Sequence, residues 1–247
     1  MNVWLLAAAV VLGMLAAFEV GFWAARKFGD DPEKSLAGGL AAALLALLGL
    51  PLAFCFGIVE ARFTARRALL IEEANAIETT YLRADLLPPP HVERVRALLR
   101  RYAAVRLRVH SGETFEANSA RSEALQGQLW RASAAAANAD PHSETSALFI
   151  RSLNDIFDLR RERATVAMHH RLPRAMMLSL LVVAMLSMVA HGYSAGLERR
   201  RTLLSTLVPI ISVVAVSLVI VELDRPWQHM FRLNQQALQT VYESITR

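Results

Sequence analysis

The chain has 247 residues, of which 54% are hydrophobic, and a formal net charge of +5. This apolar content is too high for an ordinary soluble domain and is typical of a membrane protein with a polar portion. A single cysteine, Cys55, excludes an intrachain disulfide. The basic residues are scattered among acidic ones without a recognisable binding motif, so nucleic acid is not expected as a partner.

Four segments are long and apolar enough to cross the roughly 30 Å of bilayer hydrocarbon, which takes about 20 helical residues. The predicted spans are Val3–Ala25, Leu36–Val59, Ala175–Ser194 and Leu203–Val221. The first has no Lys or Arg before its apolar core, and we interpret it as a retained span rather than a signal peptide. The chain is therefore divided into residues 1–59, 60–174, 175–222 and 223–247.

An even number of spans places both termini and the long polar segment on one side of the membrane. That side carries 21 of the 27 Lys and Arg residues, 18 of them in residues 60–174, and the two short loops carry six. The positive-inside rule then predicts that the polar segment is cytoplasmic. Arg199–Arg201, which lie close to two span ends, argue for the opposite orientation.

Residues 60–174 lack the alternating β-branched runs of strands, and we expect them to be helical throughout. The first helix is predicted to continue out of the second span and to stop at Pro88–Pro90. Further helices are predicted from Val92, over Ala117–Ala139, after a cap at Ser143 or Ser146, and near the C-terminus from Pro226 to Ile245. The predicted class is an all-α protein with four transmembrane helices and a helical cytoplasmic domain.

Charged and amide residues in apolar surroundings are the candidates for ion handling. Glu19 is costly in lipid, and we expect a local structural role near Arg26 or, alternatively, a role in ion handling. Asn75 interrupts an apolar stripe, so it either bonds a neighbouring helix or lines an aqueous path. Glu60 lies where the second span becomes charged. Glu72 and Glu73, beside Arg66 and Arg67, are interpreted as helix-surface ion pairs.

The motifs of common catalytic and metal sites are missing from the sequence. It has no glycine-rich phosphate loop, no nucleophile elbow, no cysteine pair and no HExxH motif. We therefore predict neither a metal site nor a cofactor, and we do not expect an enzyme.

The stretch GLPLAFCFGIVEARF, residues 49–63, combines helix breakers with a regular apolar pattern. Pro51 lacks a backbone donor, so we predict a helix break there, flanked by Gly49 and Gly57. Leu50, Phe54 and Ile58 recur at steps of four and share one helix face. On periodicity alone this spacing most often means helix packing; in a symmetric ring each residue would instead form an apolar collar able to gate a pore.

Part of this stretch, LPLAFCFGIV (50–59), resembles the neck segment of the bestrophins, which reads approximately I-P-L-S-F-V-L-G-F. The proline, the leucine after it, Phe54 and Gly57 match. The segment ELDRPW (222–227) is similar to the turn that leaves the fourth bestrophin span. The whole chain resembles a bacterial family described as bestrophin-like, through EEANAIETTYLRADLLP and the later LPRAM and LDRP segments.

The resemblance implies a homopentameric ion channel of the bacterial inner membrane, with the neck formed by Leu50, Phe54 and Ile58. The basic excess in residues 60–174 and the backbone dipoles at Pro51 favour small anions such as chloride, whereas some prokaryotic relatives pass cations, so both signs of permeant ion stay open. The acidic calcium clasp of animal bestrophins is not matched, because the stretch DRPWQHMFRLNQQAL, which begins at Asp224, offers Asp224 as its only acidic residue. The alternative is a non-conducting membrane scaffold or sensor whose cytoplasmic helices bind a partner protein. An intramembrane enzyme is a third hypothesis, which no nucleophile supports.

Overall fold

The computed structural model describes residues 3–29, 34–108, 115–169, 172–199, 201–224 and 235–247. Within these ranges the regular structure consists of helices without strands, so the predicted all-α class is confirmed. The helices are α1 (Val3–Phe28), α2 (Lys34–Arg83), α3 (His91–Arg108), α4 (Phe115–Ala139), α5 (Glu144–His169), α6 (Arg174–Leu197), α7 (Leu203–Asp224) and α8 (Gln236–Thr246).

Four helices of the described chain are long and apolar enough to cross a membrane, namely α1, α2, α6 and α7. They contain the four predicted spans. Helix α2 has 50 residues, about 75 Å at 1.5 Å per residue, so it extends far beyond the hydrocarbon thickness. The prediction that the second span continues into the polar segment as one helix is confirmed.

The chain forms two compact units. One comprises Met1–Phe63 and Arg171–Phe231 and is here called the span unit; the other comprises Thr64–His170 and Arg232–Arg247 and is called the polar unit. Helix α2 contributes its first part to the span unit and its second part to the polar unit. The C-terminal helix α8 belongs to the polar unit, and residues 225–234, where we predicted its beginning, lie outside the described residues.

In the span unit, α1 and α6 run parallel and pack closely along their length. The pairs of neighbours advance together along both helices, from Gly13 beside Met185 to Phe18 beside Gly192 and Phe22 beside Gly196. A Cβ atom on Gly192 would lie 2.0 Å from the Phe18 carbonyl oxygen. Small residues thus allow two backbones to approach, which is the usual basis of helix packing within membranes.

The polar unit has its own core, filled by the apolar stripes of its helices. Its fully buried side chains include Leu70, Ile77, Leu99, Tyr102, Leu129, Phe149, Leu153 and Ile156. The hydroxyl oxygen of Ser143 accepts a hydrogen bond from the Ser146 amide at 3.1 Å, so Ser143 is the predicted cap of α5. Helix α2 ends at Arg83 and a 3-10 turn follows over Ala84–Leu86, just before Pro88.

Candidate functional site: the outward face of the second helix

Helix α2 has two different faces in the span unit. Its buried face carries Leu48, Leu52, Cys55 and Val59, none of which is more than 8% exposed. Steps of four, three and four residues place them along one stripe, and they belong to the apolar core that also includes residues of α1, α6 and α7. The second helix is therefore fixed to its own bundle by this stripe.

The opposite face of α2 carries bulky apolar side chains that the chain itself does not cover. Leu50 is 56% exposed and Phe54 is 63% exposed. They lie one helical turn apart, so they form a continuous apolar ridge directed away from the span unit. A ridge of this kind faces lipid, a second copy of the chain or a conduit between copies.

Ile58, the third predicted neck residue, has a different environment. It is only partly exposed and packs against the apolar core of the span unit. The step of four residues rotates each position by about 40° around the helix, so the third member has turned toward the bundle. The structure therefore brings Leu50 and Phe54 together on the outward face and places Ile58 at its margin.

The predicted helix break at Pro51 is wrong, because α2 continues without interruption through Gly49, Pro51 and Gly57. Proline withholds only its own amide, so a single hydrogen bond, the one to the Leu47 carbonyl, is lost while the flanking turns remain. A Cβ atom added to Gly49 or Gly57 would meet nothing within 4 Å. These glycines leave the backbone bare on a surface that the chain itself does not cover.

Glu19 pairs with Arg201 rather than with Arg26. Its carboxylate oxygens accept hydrogen bonds from both terminal nitrogens of Arg201 at 3.2 and 3.1 Å. The same guanidinium lies 4.1 Å from the ring centroid of Phe22, one turn along α1. This bidentate pair joins α1 to the start of α7 and supports the local structural role over ion handling.

Neither Asn75 nor Glu60 lies in the core of the chain. Both residues are exposed. The expectation that Asn75 bonds a neighbouring helix within the apolar stripe is not met, because the buried stripe of α2 runs through Leu70, Ala74 and Ile77 instead. Both remain candidates for ion handling.

The polar unit contains a buried charge cluster that the sequence patterns above do not predict. Glu73 is fully buried, and its two oxygens accept hydrogen bonds from Arg106 at 2.7 and 3.2 Å. Arg163 donates a further bond to the same carboxylate. The interpretation of Glu73 as a surface residue is thus wrong. Its position on the stripe with Leu70 and Ile77 is the signal that identifies it.

Electrostatic interactions within this cluster keep its ionisable groups in fixed protonation states. Burial lowers the pKa of Arg106, but the neighbouring Glu73 carboxylate outweighs it and the net shift is upward. Burial also raises the pKa of the adjacent Tyr102, whose hydroxyl accepts a hydrogen bond from Gln126. Arg106 therefore stays charged and Tyr102 stays neutral, so the cluster ties α2, α3 and α5 together over a broad pH range.

Four apolar helices in an all-helical fold define an integral membrane protein. A family model described as a Bestrophin-like domain matches residues 6–238. A crystal structure of a bacterial bestrophin homologue from Klebsiella pneumoniae has a TM-score of 0.70 and 13% identity, with 99% of this chain and 97% of that chain covered. A variant of that homologue has a TM-score of 0.69 and 14% identity over the full length of both chains.

Because the family model covers nearly the whole sequence, the chain belongs to the bestrophin-like family. The similarity to the Klebsiella pneumoniae structures shows that it also has the bestrophin homologue fold. No curated protein matches the sequence.

Proposed function

We propose that the protein is a homopentameric ion channel of the bacterial inner membrane, with α2 lining the pore. The observation that carries this proposal is the exposed apolar ridge of Leu50 and Phe54, opposite the buried stripe of the same helix. Family membership supports this interpretation of the ridge, since the stretch that contains these residues resembles the bestrophin neck segment. Ile58 forms the margin of the same constriction.

In a ring of identical subunits, each outward residue of α2 becomes a collar around the axis. Leucine and phenylalanine collars offer water and ions no hydrogen bonds, so a narrow collar empties of water and closes the path. Gly49 and Gly57 lack side chains next to this ridge, which allows neighbouring α2 helices to approach the axis or one another. The constriction is thus an apolar gate rather than a binding site for ions.

The proposed permeant ions are small anions such as chloride. Residues 60–174 carry 18 basic and 14 acidic side chains. A ring of subunits multiplies this positive excess around the pathway and concentrates anions there. Following the positive-inside rule, the polar unit and both termini lie in the cytoplasm.

Flux through liposomes tests the neck assignment. The double variant L50A/F54A widens both collars and removes apolar surface, and we expect faster chloride efflux than from the wild type. F56A is the matched control, because Phe56 is also an exposed phenylalanine on α2, 40% exposed, but lies about 200° around the helix from Phe54. Its efflux should match that of the wild type.

Efflux from L50A/F54A equal to that of the wild type, with an intact oligomer, would reject these residues as the constriction. Sodium efflux measured in the same vesicles decides the sign of the permeant ion. No flux of either ion from correctly assembled protein would favour the non-conducting scaffold, whose polar unit binds a partner.

A further inference from the structure

A large cavity lies inside the span unit, behind the ridge of α2. Its volume is about 750 Å³, and α1, α2, α6 and α7 all contribute to its walls. Leu6, Val10, Leu48, Leu52, Leu180 and Ala184 are among the lining residues. The volume falls within the range of about 300–1,000 Å³ that is typical of small-molecule sites.

Most of the cavity is hydrocarbon in character. Apart from Ser217 and Asp224, its walls consist of alanine, valine, leucine and methionine side chains. The helices that form it are the four membrane-spanning ones, and the cavity is partly open. In a bilayer its surroundings are acyl chains rather than water, so the wall chemistry matches an alkyl chain.

One end of the cavity is charged. Asp224 lines it, and the Asp224 carboxylate accepts a hydrogen bond from the Leu172 amide at 3.2 Å. A terminal nitrogen of Arg62, Nη1, lies 3.9 Å from the same carboxylate oxygen. This nitrogen makes no hydrogen bond among the residues that the structure describes, and the Arg62 side chain is 24% exposed next to the cavity wall formed by Asp224. A buried guanidinium donor without an acceptor is costly, and a phosphate oxygen is a good acceptor for it.

We propose that the cavity binds a zwitterionic phospholipid, with one acyl chain between the helices and the headgroup at the Arg62–Asp224 pair. A rotation of the partly exposed Arg62 side chain brings its guanidinium to the phosphate, and the ammonium group lies next to the Asp224 carboxylate. A lipid with an anionic headgroup fits less well, because Asp224 repels its charge while no ammonium group compensates.

The bound acyl chain also supports helix α2 from behind. This second part of the proposal rests on the proposed function, in which α2 lines the pore. Leu48 and Leu52 form part of the cavity wall, whereas Leu50 and Phe54 project from the opposite side of the same two turns. Because these two turns of α2 move together, an acyl chain that fills the cavity determines how close the side chains of Leu50 and Phe54 lie to the pore axis. Removal of the lipid should therefore change the width of the neck.

Neighbouring alanines provide the test of binding. Ala7 lines the cavity, while Ala8 is exposed on the next face of α1. Protein purified from membranes is examined by native mass spectrometry for phospholipid that is retained by the oligomer. We expect wild type and A8W to retain about one phosphatidylethanolamine per chain, and A7W to lose most of it. Equal retention by A7W and A8W would overturn the proposal.

Headgroup recognition is tested with R62Q after reconstitution in equal parts of phosphatidylethanolamine and phosphatidylglycerol. The wild type should retain the zwitterionic lipid several-fold over the anionic one, and R62Q should lose this preference. If A7W fails to assemble, the structure of the wild-type protein is determined instead in the presence of phospholipid with brominated acyl chains. Bromine density in the cavity supports the proposal, and side chains of a second copy in its place contradict it.

The effect on the neck is measured separately, as chloride efflux from vesicles that contain A7W or A8W. Altered efflux for A7W alone supports the bracing role, and unchanged efflux with lost lipid overturns that role while leaving the site. Lipid retention does not depend on conduction, so a wild type without flux contradicts the proposed function and not the lipid site.

Discussion

Glu73 carries the clearest energetic consequence of a single residue in this structure. Its carboxylate is enclosed by Arg106 and Arg163 and is out of contact with water. Burying a charge is unfavourable unless partners and hydrogen bonds compensate it, and here one carboxylate neutralises part of the charge on two guanidinium groups. The stability of the polar unit should therefore depend on Glu73 more than on its neighbours.

We predict that E73Q destabilises the protein by about 3–5 kcal/mol, because it leaves the buried Arg106 and the largely buried Arg163 without their anion. E72Q is the matched control, since Glu72 is adjacent in sequence but exposed, and it should change stability by no more than about 0.5 kcal/mol. Thermal unfolding of the purified protein in detergent measures both variants. Similar melting temperatures for E73Q and E72Q would contradict the arrangement of the cluster.

The burial of Glu73 can be predicted from the sequence only when local charge pairing is weighed against the helical pattern of apolar residues. Composition and local pairing favour a surface position for Glu73, beside Arg66 and Arg67. The helical stripe from Leu70 through Ala74 to Ile77 passes through position 73 and indicates burial. Its partners Arg106 and Arg163 are 33 and 90 residues away, and no local pattern identifies them.

At the scale of elements, close packing of α1 against α6 depends on glycine. A Cβ atom on Gly21 would lie 2.0 Å from the Val189 carbonyl oxygen, and one on Gly192 would lie 2.0 Å from that of Phe18. Both obstacles are backbone atoms, which cannot rotate away as a flexible side chain can. The two helices would have to separate to accept any larger residue.

We predict that G192A destabilises the protein by about 1–3 kcal/mol or more, through overpacking between α1 and α6. Gly127 provides the contrast, because it is exposed in the middle of α4 and a Cβ atom there would meet nothing within 4 Å. G127A should stabilise the protein by about 0.5–1 kcal/mol, since alanine is the better helix former. Thermal unfolding in detergent measures both variants. A G192A variant as stable as the wild type would contradict the packing of α1 on α6.

Element boundaries are predictable wherever one physical signal dominates. Hydropathy locates all four spans, and the apolar period predicts α4 within two residues of its observed start at Phe115. The predicted helix break at Pro51 is wrong. A proline removes only one backbone hydrogen bond, and the long apolar helix on both sides of it remains helical. The contact of Glu19 with Arg201 spans 182 residues and follows only from the packed bundle.

For the whole molecule, the central issue is what covers the apolar ridge of α2. A sequence pattern cannot distinguish side chains that face lipid from those that face a ring axis, since both are apolar and exposed on the single chain. Leu50 and Phe54 satisfy either arrangement. Membership of the bestrophin-like family favours the proposed ring, in which neighbouring copies of α2 would surround the ridge.

The most direct measurement is a cryo-electron microscopy reconstruction of the protein purified in lipid nanodiscs. We predict a five-fold symmetric particle whose axis passes between copies of α2, with its narrowest radius at Leu50 and Phe54. A particle without a central opening, or one in which these two side chains contact the surrounding lipid, would contradict the account.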